Sequence, residues 1–115
     1  MSTLPAIRLI DLPTILADAR TPVLVEVWQA GCVHCKLMAP TVRYVASEFG
    51  NTLQVLTLEV HGFDANAKAL GVIQTPTFIL YGADQEIGRI AGEMPAKALH
   101  QWLASIIGEP AMQLT

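Results

Sequence analysis

Residues 28–36 read Trp28-Gln-Ala-Gly-Cys32-Val-His-Cys35-Lys36, and the fold and the chemistry of this 115-residue chain are both predicted from this segment. Cys32 and Cys35 are the only two cysteines in the sequence, and they lie three residues apart. Residues i and i+3 share one face of a helix, so both sulfurs can meet without movement of the backbone. The spacing therefore predicts a reversible dithiol on a helix.

The apolar pattern on either side of this segment predicts an α/β fold. Residues 23–28 are apolar on both faces, as in a central strand that is covered on each side. The segment after them has helical spacing over residues 32–49. Further strands are predicted at 7–10, 53–60, 77–81 and 86–91, and further helices at 11–19 (with Asp11 as N-cap), 65–70 and 95–107. This order predicts a single domain over residues 1–115, with a central mixed sheet flanked by helices on both faces.

Composition excludes several classes of function. The chain is 52% hydrophobic and 15% charged, so a disordered protein is not expected. Its net charge is −3 and its seven basic residues are scattered, which argues against nucleic acid or a membrane surface as a partner. The sequence as given has no recognisable secretory signal or membrane-spanning run, and we expect a cytoplasmic protein. In a reducing cytoplasm, a C-x-x-C pair is more often redox-active or metal-binding than structural.

The predicted strand-to-helix junction gives the two thiols different roles. Cys32 lies at the helix start, where unpaired backbone N–H groups and the helix dipole stabilise a thiolate. Cys35 lies one turn further on and is expected to be more buried and to act as the resolving thiol. The alternative is a zinc or iron–sulfur site with nitrogen ligands from His34, His61 and His100. The lack of a second cysteine pair argues against it, but a cluster shared between two subunits stays open.

Several motifs together resemble the thioredoxin family. They are Trp-x-x-x-Cys-x-x-Cys-Lys at a strand-to-helix junction, Pro40 five residues further on, Thr75-Pro76-Thr77 before a strand, and Gly92 after the last strand. The likeness covers nearly the whole chain. It implies the thioredoxin fold and a thiol–disulfide oxidoreductase in which Cys32 attacks a disulfide and Cys35 resolves the mixed disulfide.

The same resemblance implies the substrate-binding residues. Pro76 would be a cis proline facing the dithiol, which leaves the backbone of Thr75 free to pair with a bound substrate strand. Gly92 is assigned to the same surface, and Trp28 is expected either to stack beneath the dithiol or to pack in the core. The implied partners are disulfide-containing or dithiol proteins, with a thioredoxin reductase or glutathione upstream. No cofactor or metal is implied, and we expect a monomer.

The dipeptide between the cysteines departs from the family's common Gly-Pro. Here it is Val33-His34, and a histidine before the second cysteine resembles protein disulfide isomerases and periplasmic dithiol oxidases. The N–H or the positive charge of His34 would stabilise the Cys32 thiolate, which makes the couple more oxidising than a typical thioredoxin. The alternative is a solvent-facing histidine with little effect.

Glu26 interrupts an apolar run two residues before Trp28, where thioredoxins carry a buried Asp. A carboxyl that is desolvated beneath the dithiol has a raised pKa and can exchange a proton with Cys35, through water. The alternative is a partly exposed Glu26 paired with a lysine at the strand end. Thr57 stands where the carboxyl's usual lysine partner would be, and Gly31 replaces an aromatic residue, which is expected to open the rim of the site.

Fold alone does not fix function, and the sequence is also compatible with a second one. In that alternative the chain is a thioredoxin-like interaction subunit whose dithiol is regulatory or idle. Both cysteines and Pro76 are present, which favours the oxidoreductase; the open rim and the missing lysine favour the alternative.

Overall fold

The computed structural model describes residues 4–110, and its strands form one five-stranded mixed sheet. The strands are β1 (Ala6–Ile7), β2 (Val23–Trp28), β3 (Gln54–Glu59), β4 (Thr77–Gly82) and β5 (Gln85–Ala91). The α-helices are α1 (Leu12–Asp18), α2 (Val33–Phe49), α3 (Ala65–Leu70) and α4 (Ala96–Ile107). In the order β1-β3-β2-β4-β5, the first three strands are parallel, β4 runs antiparallel to β2, and β5 runs antiparallel to β4.

Helices cover both faces of this sheet, so the predicted fold class is confirmed. Side chains of a strand alternate between the two faces. Val25 and its neighbours on one face pack with α1 and α3, whereas Leu24 and its neighbours on the other face pack with α2 and α4. Glu26 is two residues from Leu24, so it lies on the α2 face. This alternation is what brings a carboxyl beneath the cysteines.

The N-terminal segment differs from the prediction of a strand over residues 7–10. β1 ends at Ile7, and Leu9–Asp11 form a 3₁₀ turn instead. Asp11 is the N-cap residue of α1, as predicted, but its side chain makes no hydrogen bond to the first turn of the helix. Its carboxylate accepts hydrogen bonds of 3.2 and 3.3 Å from the guanidinium of Arg8, so it is not available to the first turn of α1.

The helix α4 is held against α2 by apolar and polar contacts. Leu99 and Leu103 are fully buried in the core between these helices. His100 places one ring nitrogen 2.9 Å from the carboxylate of Glu48 on α2 and the other 2.6 Å from that of Glu109. The bonds to Glu109 and Glu48 raise the pKa of His100. Among the helices of residues 4–110, none combines the length and the apolar character needed to span a membrane.

Three segments meet at one end of the sheet and enclose the cysteines. They are the first turn of α2, the turn before β4, and the residue after β5. The backbone N–H of Gly92 donates a 2.8 Å hydrogen bond to the carbonyl oxygen of Pro76, which ties the last two segments together. Gly92 has φ +98°, in the left-handed region that favours glycine.

Candidate active site

Cys32 is the N-cap residue of α2, and its backbone is extended. Its sulfur accepts a 3.2 Å hydrogen bond from the backbone N–H of Cys35, as a capping side chain does. The hydroxyl of Thr75 donates a second hydrogen bond of 3.3 Å to the same sulfur. The predicted placement of Cys32 at the helix N-terminus is therefore confirmed.

The two thiols differ in acidity. Burial raises the pKa of Cys32, but hydrogen bonds from Cys35 and Thr75, with a smaller effect of the His34 charge, outweigh it and leave the pKa below its ordinary value. Cys35 is only 5% exposed, and burial together with its hydrogen bond to Cys32 raises its pKa to about 11. A thiolate therefore forms first on Cys32, while Cys35 keeps its proton.

The side chain of His34 faces solvent and is 67% exposed. Its Nδ1 lies 3.0 Å from a carboxylate oxygen of Glu93, and this hydrogen bond raises the pKa of His34. The charge of His34 still lowers the pKa of Cys32, although it contributes less than the hydrogen bonds do. His34 therefore faces solvent, as in one predicted alternative, and also lowers the pKa of Cys32, as in the other. The sequence reasoning missed Glu93, although its position directly after Gly92 was a signal.

Glu26 is 6% exposed and pairs in register with Thr57 of β3 and Phe78 of β4. Burial raises its pKa to about 7, and the positive charge of Arg43 offsets part of that rise. The prediction of a desolvated carboxyl is confirmed, and the alternative of an exposed carboxyl paired with a lysine is wrong. Arg43, on α2, was not predicted; it supplies a positive charge that Thr57 cannot.

A cavity of about 350 Å³ joins this carboxyl to the dithiol. Its walls include Glu26, both cysteines, and the half-buried ring of Trp28. Gly31 borders it with φ +81°, and a Cβ at this position would meet no atom within 4 Å, so the rim is open as predicted. A cavity of this size is large enough to hold water.

The turn before β4 carries two of the four residues predicted to bind substrate, Thr75 and Pro76. The peptide bond between Thr75 and Pro76 is cis, as predicted. The carbonyl oxygen of Thr75 lies 3.5 Å from the Cys32 sulfur. Thr75 and Gly92 also line a second cavity of about 650 Å³ beside the pair of His34 and Glu93. The structure thus brings Thr75, Pro76 and Gly92 together, whereas Trp28 lies in the wall of the first cavity.

Gln29 is a site residue that the sequence reasoning missed. Its side-chain oxygen accepts a 2.9 Å hydrogen bond from the backbone N–H of Gly62, and its side-chain nitrogen donates one of 3.2 Å to the hydroxyl of Thr75. The signal in the sequence was slight: a polar residue that directly follows an apolar strand, three positions before Cys32.

Within residues 4–110, no group of three or more His, Cys, Asp or Glu side chains is arranged to hold a metal ion. His100, a ligand in the zinc or iron–sulfur alternative, lies instead between Glu48 and Glu109.

A low-pKa thiol at a helix N-terminus and a buried high-pKa thiol beside it define a site for thiol–disulfide exchange. Residues 11–105 match the Thioredoxin family model. The chain is 32% identical over 94 residues to a thioredoxin of Mycobacterium bovis, covering 82% of this chain and 81% of that protein. The chain belongs to the thioredoxin family, and it is a thiol–disulfide oxidoreductase.

Two further relatives are of different lengths. A bifunctional thioredoxin reductase/thioredoxin of Mycobacterium leprae is 36% identical over 90 residues, which cover 78% of this chain but 20% of that protein. A thioredoxin of Alicyclobacillus acidocaldarius is 29% identical over 86 residues, covering 75% of this chain and 82% of that protein. The chain thus spans about a fifth of the bifunctional protein it matches.

Proposed function

We propose that this protein exchanges disulfides with protein substrates, with Cys32 as nucleophile and Cys35 as resolving thiol. The observation that carries the proposal is the opposed acidity of the two thiols beside the Thr75–Pro76 turn. The Cys32 thiolate attacks one sulfur of the substrate disulfide, and the other substrate sulfur leaves as a thiolate. Cys35 then loses its proton and attacks the Cys32 sulfur, which releases the second substrate thiolate and leaves a Cys32–Cys35 disulfide. Two electrons pass from the dithiol to the substrate.

Exposed apolar side chains support a protein as the substrate. Val33, next to Cys32, is 65% exposed, and Ile73, two residues before Thr75, is 78% exposed. Phe63 is 64% exposed and follows Gly62, which bonds to Gln29. Apolar side chains exposed together around a site mark an interaction surface for another macromolecule.

The proposed proton acceptor for the second step is Glu26. It lies on the α2 face of β2, and the cavity that it shares with Cys35 is open to water. A carboxyl with a pKa of about 7 is close to ambient pH, where a general base works best. Glu26 therefore accepts the Cys35 proton when the mixed disulfide is resolved, and returns it when the dithiol is regenerated.

Regeneration of the dithiol needs an electron donor, and we assign this role to a thioredoxin reductase in the cytoplasm. The bifunctional relative named for both a thioredoxin reductase and a thioredoxin supports this assignment. With such a donor, the net reaction is the reduction of substrate disulfides.

Reduction of insulin driven by dithiothreitol tests the proposal. We expect the wild-type protein to accelerate insulin precipitation, and the Cys32→Ser variant to fall to the uncatalysed rate because it lacks the acidic thiol. Equilibration with glutathione buffers shows independently whether the dithiol is intact. Wild-type protein that equilibrates with glutathione but leaves insulin unreduced would contradict the proposal, and would favour the interaction subunit with an idle dithiol.

A more oxidising couple than that of thioredoxin, at about −270 mV, is also proposed, on account of His34. Replacing His34 by Gln removes the positive charge but keeps a polar, helix-compatible side chain. The reduced form then loses some stabilisation, so we expect the potential to fall by up to about 30 mV, the equivalent of one pKa unit of the thiolate.

Glutathione titration of wild type, His34→Gln and Glu93→Gln measures this effect. Glu93→Gln keeps the imidazole of His34 but removes the partner that raises its pKa. This variant should therefore lower the potential less than His34→Gln does, and chiefly near pH 7. An unchanged or higher potential in His34→Gln would contradict the role of His34.

A further inference from the structure

We propose that Gln29 is a positioning residue that holds the hydroxyl of Thr75 as a hydrogen-bond donor to the Cys32 sulfur. The inference rests on the proposed role of Cys32 as the nucleophile, and it adds a residue to that site. Gln29 itself does not touch the reacting sulfur in the structure; it acts through Thr75.

The direction of the hydrogen-bond chain follows from the donors and acceptors at its ends. The backbone N–H of Gly62 can only donate, so the oxygen of the Gln29 amide faces it at 2.9 Å. The amide NH₂ then faces the hydroxyl of Thr75 at 3.2 Å, where it too can only donate. Thr75 must accept that hydrogen bond, which leaves its own proton for the sulfur of Cys32 at 3.3 Å.

The far end of this chain is fixed by the loop that follows β3. Asp64 accepts hydrogen bonds from the backbone N–H groups of His61 at 2.9 Å and Ala67 at 2.8 Å. The N–H of Val60 donates to the carbonyl oxygen of Trp28 at 2.8 Å. The loop thus presents the Gly62 N–H in one orientation, and the Gln29 amide has one orientation that satisfies both of its partners.

This arrangement favours the thiolate over the thiol at Cys32. A thiolate only accepts hydrogen bonds, and charge-assisted bonds are stronger than neutral ones. Each donor in a chain also polarises the next, so a bond to the Thr75 oxygen strengthens the bond that its proton makes. Without Gln29, the hydroxyl of Thr75 is free to rotate and can accept from a thiol as readily as it donates to a thiolate.

Alkylation of Cys32 by iodoacetamide across a range of pH, followed by peptide mass analysis, tests the inference. In the Gln29→Leu variant we expect the pKa of Cys32 to rise by about half a unit, which means roughly threefold slower alkylation below the pKa. Gln29→Ala removes the same hydrogen bonds and serves if the leucine variant does not fold. Gln101→Leu, the same change at an exposed position on α4, is the matched control and should leave the pKa unchanged.

A double-mutant cycle separates this role from a general structural one. In a Thr75→Val background the hydroxyl is gone, so Gln29→Leu should cause no further rise in the Cys32 pKa. The titratable groups around the sulfur, which are Cys35, His34, Glu26 and Lys36, are the same in all of these variants. An unchanged pKa in Gln29→Leu, or an equal rise in the Thr75→Val background, would overturn the inference.

The alkylation readout needs no substrate, so it separates this inference from the proposed function. A raised pKa in Gln29→Leu together with no insulin reduction by wild type would refute only the proposed function. An unchanged pKa together with normal insulin reduction would refute only the role of Gln29.

Discussion

The Cys35→Ser variant is expected to lose catalytic turnover entirely and to accumulate as a covalent mixed disulfide with its substrate. The first attack needs only Cys32, whose sulfur keeps the hydrogen bonds from the Thr75 hydroxyl and from the backbone N–H of residue 35 in this variant. Resolution needs a second thiol, and a serine hydroxyl cannot supply it. Each protein molecule should therefore capture one substrate molecule and stop.

Mass spectrometry of the non-reduced reaction with a disulfide-containing peptide measures this trapping. Cys32→Ser is the matched control and should trap almost nothing. With a pKa of about 11, only about one Cys35 thiol in ten thousand is ionised at pH 7. Equal trapping by the two variants, or trapping by Cys32→Ser alone, would reverse the assignment of nucleophile and resolving thiol.

The Glu26→Gln variant is expected to be more stable than wild type above neutral pH. An unfolded chain ionises this carboxyl above its ordinary pKa of 4.5, whereas the folded protein holds it neutral up to about pH 7. A carboxyl with a raised pKa in the folded state reduces stability as pH rises through that window. The difference between the two pKa values corresponds to a loss of about 3 kcal/mol in the free energy of unfolding of wild type. This loss is fully present only above pH 7.

Denaturant unfolding at several pH values from 4 to 8 measures this difference. The free energy of unfolding of wild type should fall relative to that of Glu26→Gln as the pH rises through this range. Glu59→Gln makes the same change at an exposed position on the neighbouring strand, and its stability should run parallel to that of wild type. Parallel curves for Glu26→Gln as well would show that the folded protein does not disfavour ionisation of Glu26.

The same variant should slow one chemical step more than the other. Cys35 cannot give its proton to a glutamine, so release of the mixed disulfide should slow by up to about a hundredfold, the lower range for a positioned general base. The first attack by Cys32 should change little, because its thiolate is stabilised by Cys35 and Thr75. Single-turnover kinetics distinguish the two steps, and a normal rate of resolution would exclude Glu26 from the proton transfer.

Much of the fold was predictable because its signals are local. The apolar run of β2, the periodicity of α2 and the glycine after α3 each follow from neighbouring residues. A short edge strand was predicted near Ile7, but its bounds were wrong, since the pairing of β1 with β3 depends on a partner about 50 residues away. Where the chain turns at Leu9–Asp11, an ion pair between Arg8 and Asp11 takes the place of the side-chain hydrogen bond of a helix cap.

The residues of the candidate site also differ in how far the sequence predicts them. The cysteine spacing, Glu26 and the Thr75–Pro76 turn carry motifs or interrupt a pattern, so they could be found. Gln29 and Glu93 have only a slight signal in the sequence, which is their position beside a strand or motif. Gln29 contacts a residue 46 positions away and Glu93 one 59 positions away, so only the folded chain shows what each of them does. The sequence also does not show that the charge of His34 lowers the pKa of Cys32 less than the hydrogen bonds to its sulfur do, because those bonds form only in the folded chain.

One atom serves both as the cap of α2 and as the thiol that changes oxidation state. A side-chain cap is worth about 0.5–2 kcal/mol to a helix, and a neutral disulfide sulfur is a weaker acceptor than a thiolate. Reduction of Cys32 and the tightening of the first turn of α2 therefore belong to one thermodynamic cycle. A substitution that stabilises this turn in the reduced protein alone must raise the potential, by about 30 mV for each 1.4 kcal/mol. In this protein, the stability of the first turn of α2 and the reduction potential of the dithiol are therefore thermodynamically coupled, so that fraying of this helix end lowers the affinity of the dithiol for electrons.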